Sequence, residues 1–138
     1  MNIAFYKDNT KLFNRFISWW TNGPYSHCEA MVSENKWASS SVEDGGVRFK
    51  TMVLNPAKWD VIDVPGVDLE EIKSWFNSHL GDSYDLLGLL SIFSPVSEDK
   101  NKEFCSEAIA AAMGIRDPWR FDPNRLAIVC EQLGGKWL

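Results

Sequence analysis

Cysteine and histidine are scarce in this chain of 138 residues, with three of the first and two of the second. Three thiols cannot all pair within one chain, and these lie far apart in sequence. They fit free thiols in a reducing compartment better than a disulfide scaffold. No CxxC or HxxxH pair is present, so a zinc site built from His27, Cys28, Cys105 and Cys130 has no spacing in its favour. Excess positive charge is missing too: the formal net charge is −5 and the pI about 5.0. The longest charged cluster, "SEDKNKE" at 97–103, mixes signs. A nucleic-acid-binding surface is therefore not expected. Long apolar runs are also lacking. The longest apolar-leaning stretch, "DLLGLLSIF" at 85–93, is too short to span a bilayer, and no stable membrane insertion is expected. The opening "MNIAFYKDNTK" has no basic segment followed by an apolar run and a small-residue cleavage site, so no signal peptide is read there and a cytoplasmic location is expected.

What is present fits one globular domain that buries about two-thirds of its unfolded-chain surface. Apolar residues make up 45% of the chain, and its seven tryptophans and eight phenylalanines exceed what a core of this size needs. Part of that aromatic surface is available for a groove or a partner.

"NIAFYK" at 2–7 alternates as a strand, and "DNTKLFNRFISWWTNG" at 8–23 has helical spacing of Leu12, Phe16 and Trp19 or Trp20. "YSHCEAMVS", "KWASSS", "VRFKTMV" and "WDVIDVP" follow as strands, with "DGG" as a turn. The second half turns helical. "DLEEIKSWFNSHLG" has Asp68 as N-cap and acids in its first turn, and Gly81 ends it. "YDLLGLLSIF" at 84–93 and "EFCSEAIAAAMGI" at 103–115 are the next helices. The last begins at "DPNRLAIVCEQLGG", with Asp122 as cap and Pro123 in the first helical position. The class is α+β, with an antiparallel sheet of about four to six strands and helices packed on it.

The densest polar spot is "YSHCEAM" at 25–31. Strand alternation puts His27 and Glu29 on one face, in a row with Tyr25 and Met31, and Cys28 on the other with Ser26 and Ala30. That geometry argues against one metal held by all three of His27, Cys28 and Glu29. Far along the chain, Cys105 falls in the first turn of a helix, where unpaired amides and the helix dipole favour a thiolate. Small residues at 108 and 110–112 let that helix lie close to a sheet. If His27 sits beside it, the pair is a Cys-His nucleophile with Glu29 as orienting acid. Glu107, two residues from the thiol, opposes the thiolate unless it is engaged elsewhere. A buried structural cysteine, a satisfied strand histidine and an edge-strand ion pair for Glu29 are the readings against which this one stands.

The order of these motifs resembles the circularly permuted papain-like (NlpC-type) cysteine peptidases and amidases, most closely the YiiX-like branch. "GPYSHCEAMV" at 23–32 matches the early strand carrying His-x-Glu, and "FCSEAIAAAMG" at 104–114 the later helix that starts with the cysteine. "YDLLGLL" at 84–90 looks like the Tyr-Asp segment before it, and "DPNRLA" at 122–127 like the proline-asparagine turn near the C-terminus. The resemblance covers residues 1 to about 134. It implies a permuted papain-like fold, Cys105 as nucleophile, His27 as general base and Glu29 as the third polar residue, with no cofactor and no metal. Tyr84, Tyr25 and Ser26 are the candidate lining residues, a packing role being equally open for Tyr84. Cys28 departs from the family, which has an apolar residue there.

By resemblance the leading substrates are peptide bonds of peptidoglycan stems, and lipid or acyl-amide substrates come next. An acidic chain without a secretion signal suits a wall hydrolase poorly unless a phage particle delivers it. A non-catalytic binding module on the same scaffold is the alternative of a different class. Cys28 and Cys130 are expected in the core, Cys130 on the helix face of Leu126, Val129 and Leu133. His79 is expected at a helix C-terminus on the surface. Trp19, Trp20, Trp37 and Trp59 are expected mainly in the core. Oligomeric state is not written in the sequence.

Overall fold

Five of the strands are short segments of five to seven residues, and they pair in an order that puts the chain's first strand inside the sheet. The computed structural model describes residues 1–8, 10, 12, 15, 19, 22–82 and 104–138. The strands are β1 (Asn2–Tyr6), β2 (His27–Ser33), β3 (Lys36–Ser41), β4 (Gly46–Thr51), β5 (Trp59–Asp63) and β6 (Lys136–Trp137). They form one six-stranded sheet in the order β4-β3-β2-β1-β5-β6, antiparallel throughout. Three α-helices are described: α1 (Leu69–Ser78), α2 (Cys105–Ala112) and α3 (Pro123–Gln132), with a single 3-10 turn, Pro118–Arg120, between the last two. The architecture is α+β. β6 and the 3-10 turn have no counterpart in the expected elements. β6 is two residues long, too short for any periodicity to show, and it exists because it finds Ile62 and Asp63 across the sheet edge.

Register divides the sheet into two faces. Ile3 lies opposite Ala30 and Ile62, and Phe5 opposite Cys28. Ala30 in turn faces Ala38. These side chains are buried in one cluster with Ile72 and Phe76 of α1, Ala108 and Ile109 of α2, and Leu126 and Cys130 of α3. Truncating a fully buried aromatic such as Phe5 or Phe76 to alanine costs about 3–5 kcal/mol. The other face carries Tyr6 opposite His27 and Trp59, and Ala4 opposite Glu29.

α2 lies over β2 and β3. It can approach closely because several of the residues it buries, Ala108, Ala110 and Ala112 among them, are small. α1 starts as its sequence demands: the Asp68 carboxylate accepts the Glu70 amide at 2.8 Å. Of the helix expected across 8–23, positions 12, 15 and 19 are helical, and the intervening positions lie outside the described residues. So does the helix expected at 84–93, with Tyr84. Among the described residues no helix is long and apolar enough to cross a membrane.

Candidate active site

β2 and β3 are incompletely zipped. Their register runs from Ala30–Ala38 to Ser33–Lys36, with a bulge between Met31 and Ser33. Beyond Ala30, toward the start of β2, the Ser39 hydroxyl bridges the two strands by donating to the Cys28 carbonyl at 2.7 Å. The first three residues of β2 are thus held by β1 on one side and opened on the other. That opening is where the α2 N-terminus arrives.

The approach to β2 is fixed from a distance. Asn124, in the first turn of α3, accepts from the Tyr25 amide and donates to the Tyr25 carbonyl, both at 2.9 Å. One side chain supplies the two bonds a neighbouring strand would have made. Gly23 is required by the same clamp, since a Cβ there would meet the Asn124 side chain at 2.3 Å. The strand therefore begins at His27, and Tyr25 falls outside it. Alternation does not extend to Tyr25, which is not in the His27 row as expected. Its ring packs on Phe5 and Trp137, and its hydroxyl donates to Asp60 at 3.0 Å. Burial, then Asp60, push its pKa up. Ser26 is buried, with its amide on the Tyr6 carbonyl and no hydrogen-bond partner for its hydroxyl among the described residues.

Cys105 occupies the first position of α2, following Phe104 in extended conformation. It is 3% exposed. Among the described residues its sulfur is close to the Cys28 thiol, the His27 imidazole and the Cys28 backbone amide. Against burial, the Cys28 hydrogen bond, the His27 charge and the amide hold the thiol well below its ordinary range. Cys28 moves the other way. Burial, and then the anionic sulfur beside it, push its pKa well up, so it stays a thiol and a donor. Cys28 is thus in the core, as its face of the strand requires, and it also touches the candidate nucleophile. Glu107 does not face the sulfur unopposed, because its carboxylate accepts from the Phe104 amide at 3.5 Å.

The His27 ring is engaged on its far side as well. Its Nε2 lies 2.8 Å from Glu29 Oε1. Glu29 is 1% exposed and ionised, so this nitrogen carries the proton, and Nδ1 is left for the thiol. Burial disfavours the imidazolium, but Cys105 and Glu29 outweigh it and raise the His27 pKa to about 10. Burial also works against the Glu29 carboxylate, yet Arg48 and His27 together lower its pKa. These neighbours favour a thiolate, an imidazolium and a carboxylate in a row. Trp59 stands edge-on to the imidazole, 6.3 Å between centroids, and packs on Tyr6.

Arg48 was not among the residues singled out from sequence. It lies on β4, two strands from Glu29 in the sheet order, and no local pattern announces such a pairing. Asn124 lay inside a quoted motif, without a role. The remaining expectations divide. Cys130 is buried beside Leu126, while Leu133 is exposed, and burial pushes the Cys130 thiol up to about 12. His79 is the C-cap of α1, half-buried rather than free on the surface, and stacks on Trp75 at 3.9 Å. Trp37 is buried and Trp19 exposed; Trp20 lies outside the described residues. Among the described residues no group of three or more His, Cys, Asp or Glu side chains is placed to hold a metal ion.

Family models of known proteins give no match to this chain. No curated protein sequence is significantly similar to it.

Proposed function

We propose that the chain is a cysteine hydrolase of permuted papain-like type, acting on an amide bond. The observation that carries this reading is the Cys105–His27–Glu29 row: a thiol at a helix N-terminus, an imidazole beside it, and a carboxylate on the imidazole's other nitrogen. The cysteine thiolate is the attacking species in such chemistry, and the local charges favour it at rest.

The steps follow from where the protons sit. The Cys105 thiolate attacks the carbonyl carbon, and the oxygen takes up negative charge. The Cys105 amide, one of the first-turn N–H groups that no helical bond uses, would receive it. As the C–N bond breaks, the His27 imidazolium gives its Nδ1 proton to the departing amine, leaving a thioester. Water then attacks the thioester and neutral His27 takes its proton. The carboxylic acid leaves, and the thiolate and imidazolium are restored. His27 therefore acts first as an acid and only then as a base, because the thiol proton has moved before substrate arrives. This refines the general-base role implied by resemblance.

Peptides of the peptidoglycan-stem type are the proposed substrates, and that choice rests on the resemblance. A lipid or acyl-amide substrate would pass through the same thioester. A non-catalytic binding module is the second reading, favoured by one observation: Cys105 is 3% exposed. The test offers stem peptides and acyl esters to the wild type and to Cys105→Ala. Cleavage of a stem peptide by the wild type alone supports the proposal. Turnover of the acyl ester alone transfers the reading to lipid chemistry. No turnover of either, with Cys105 as slow toward iodoacetamide as an ordinary thiol, favours the binding module.

A further inference from the structure

Glu29 is not held by His27 alone. Arg48 Nη1 donates to Oε2 at 2.6 Å and Nη2 to Oε1 at 2.5 Å, a two-pronged grip on a carboxylate that is 1% exposed. Oε1 is shared: it receives Arg48 from one side and His27 Nε2 from the other. The guanidinium is itself fixed through its third nitrogen, Nε, which donates to Asp44 Oδ2 at 2.8 Å. Asp44 lies in the turn between β3 and β4, where Gly45 takes a positive φ of 82°, and Lys50 Nζ pairs with its carboxylate at 2.9 and 3.0 Å. All three nitrogens of Arg48 are thus occupied, and its side chain is 14% exposed.

We infer that Arg48 is a positioning residue for the nucleophile, acting through Glu29: it keeps the carboxylate ionised and unable to rotate, so the imidazole keeps its proton on Nε2 and its Nδ1 toward Cys105. The inference rests on the cysteine-hydrolase reading. A purely structural ion pair would need no shared oxygen, and buried pairs bring little net stability over apolar replacements. Without Arg48, burial has only His27 to oppose it, and the carboxyl shifts toward its neutral form. The imidazolium then loses its anion and the thiolate its fixed neighbour. Lysine keeps the charge but offers no planar fork, so it restores part of the effect.

The experiment is the pH profile of Cys105 alkylation by iodoacetamide, resolved from Cys28 and Cys130 by peptide mapping. It is run on wild type, Arg48→Gln, Arg48→Lys, Glu29→Gln and the double variant Glu29→Gln/Arg48→Gln. Removing both partners leaves no buried carboxylate without its guanidinium, so the double variant stays informative if Arg48→Gln folds poorly. The acid limb is expected to move up by about one pH unit in Arg48→Gln, a roughly tenfold slower reaction on that limb, and by less in Arg48→Lys. In the Glu29→Gln background, Arg48→Gln should add nothing further. A wild-type Cys105 with an ordinary thiol profile overturns the hydrolase reading and this role with it. A low-pH wild-type profile that Arg48→Gln leaves in place overturns the Arg48 role alone. An equal additional shift in the Glu29→Gln background does so too, because Arg48 would then be acting by another route.

Discussion

α3 begins with Asp122, whose carboxylate accepts the amides of Asn124 and Arg125 at 2.9 and 3.0 Å, and with Pro123, which has no amide to satisfy. α2 begins with Phe104, whose side chain cannot cap it, and Cys105 follows as its first residue; the Glu107 carboxylate reaches back to the Phe104 amide instead. Both helices pack into the same core, yet one starts on its own capping aspartate and the other on a cysteine. The contrast extends to their cysteines. Cys130 sits in the last turn of α3, buried beside Leu126 and Ala127, and its thiol is pushed up to about 12. Cys105 sits at the open start beside an imidazole and a thiol donor, and is pulled down. Position along a helix and the polarity of what lies across from it separate a core thiol from a candidate nucleophile.

The largest way to break this contrast is His27→Ala. With the imidazolium gone, Cys105 alkylation near pH 6 is expected to slow by roughly ten- to a hundredfold, while Cys130 stays slow in both proteins. Next comes pH itself. Hydrolysis should lose about tenfold per unit above about 10 as His27 gives up its proton, whereas alkylation, which needs only the thiolate, should continue. The stability that the His27 charge contributes follows the same group. It is full below the ordinary imidazole pKa of about 6.5 and is lost as pH rises through about 10, so a chemical-denaturation series across that range should show it. Cys28→Ala removes a donor from the thiolate. A thiol is a weak donor, so despite its proximity the expected cost is smaller than for His27, roughly two- to tenfold in alkylation rate on the acid limb. Asp122→Ala has the smallest reach: about 1 kcal/mol of stability by urea unfolding, with the Cys105 profile unmoved.

Local chemistry made much of this arrangement readable in advance. Asp68 with Glu70 and Glu71 marks the start of α1, and Asp122-Pro123 the start of α3, because a cap needs only residues next to one another in the chain. The run of small residues after Cys105 anticipated a helix lying close to the sheet. Tyr25 misled because alternation was extended past the end of the strand, which Asn124 terminates from 99 positions away. Arg48 could not be found at all. Its partner Glu29 is 19 positions distant, with β3 lying between their strands.

By itself the sequence determined the five longer strands and the three described helices, where those helices start, and that a thiol would sit at one helix start and a histidine two residues from a glutamate. Those are consequences of backbone geometry and of side chains within a turn of each other. Only the tertiary structure decided that Cys105 meets His27 and Cys28, that Arg48 grips Glu29, and that the strand holding them opens toward α2. Each of these joins groups far apart in the chain, and a charge acquires its partner and its protonation state only once folding has removed the water between them.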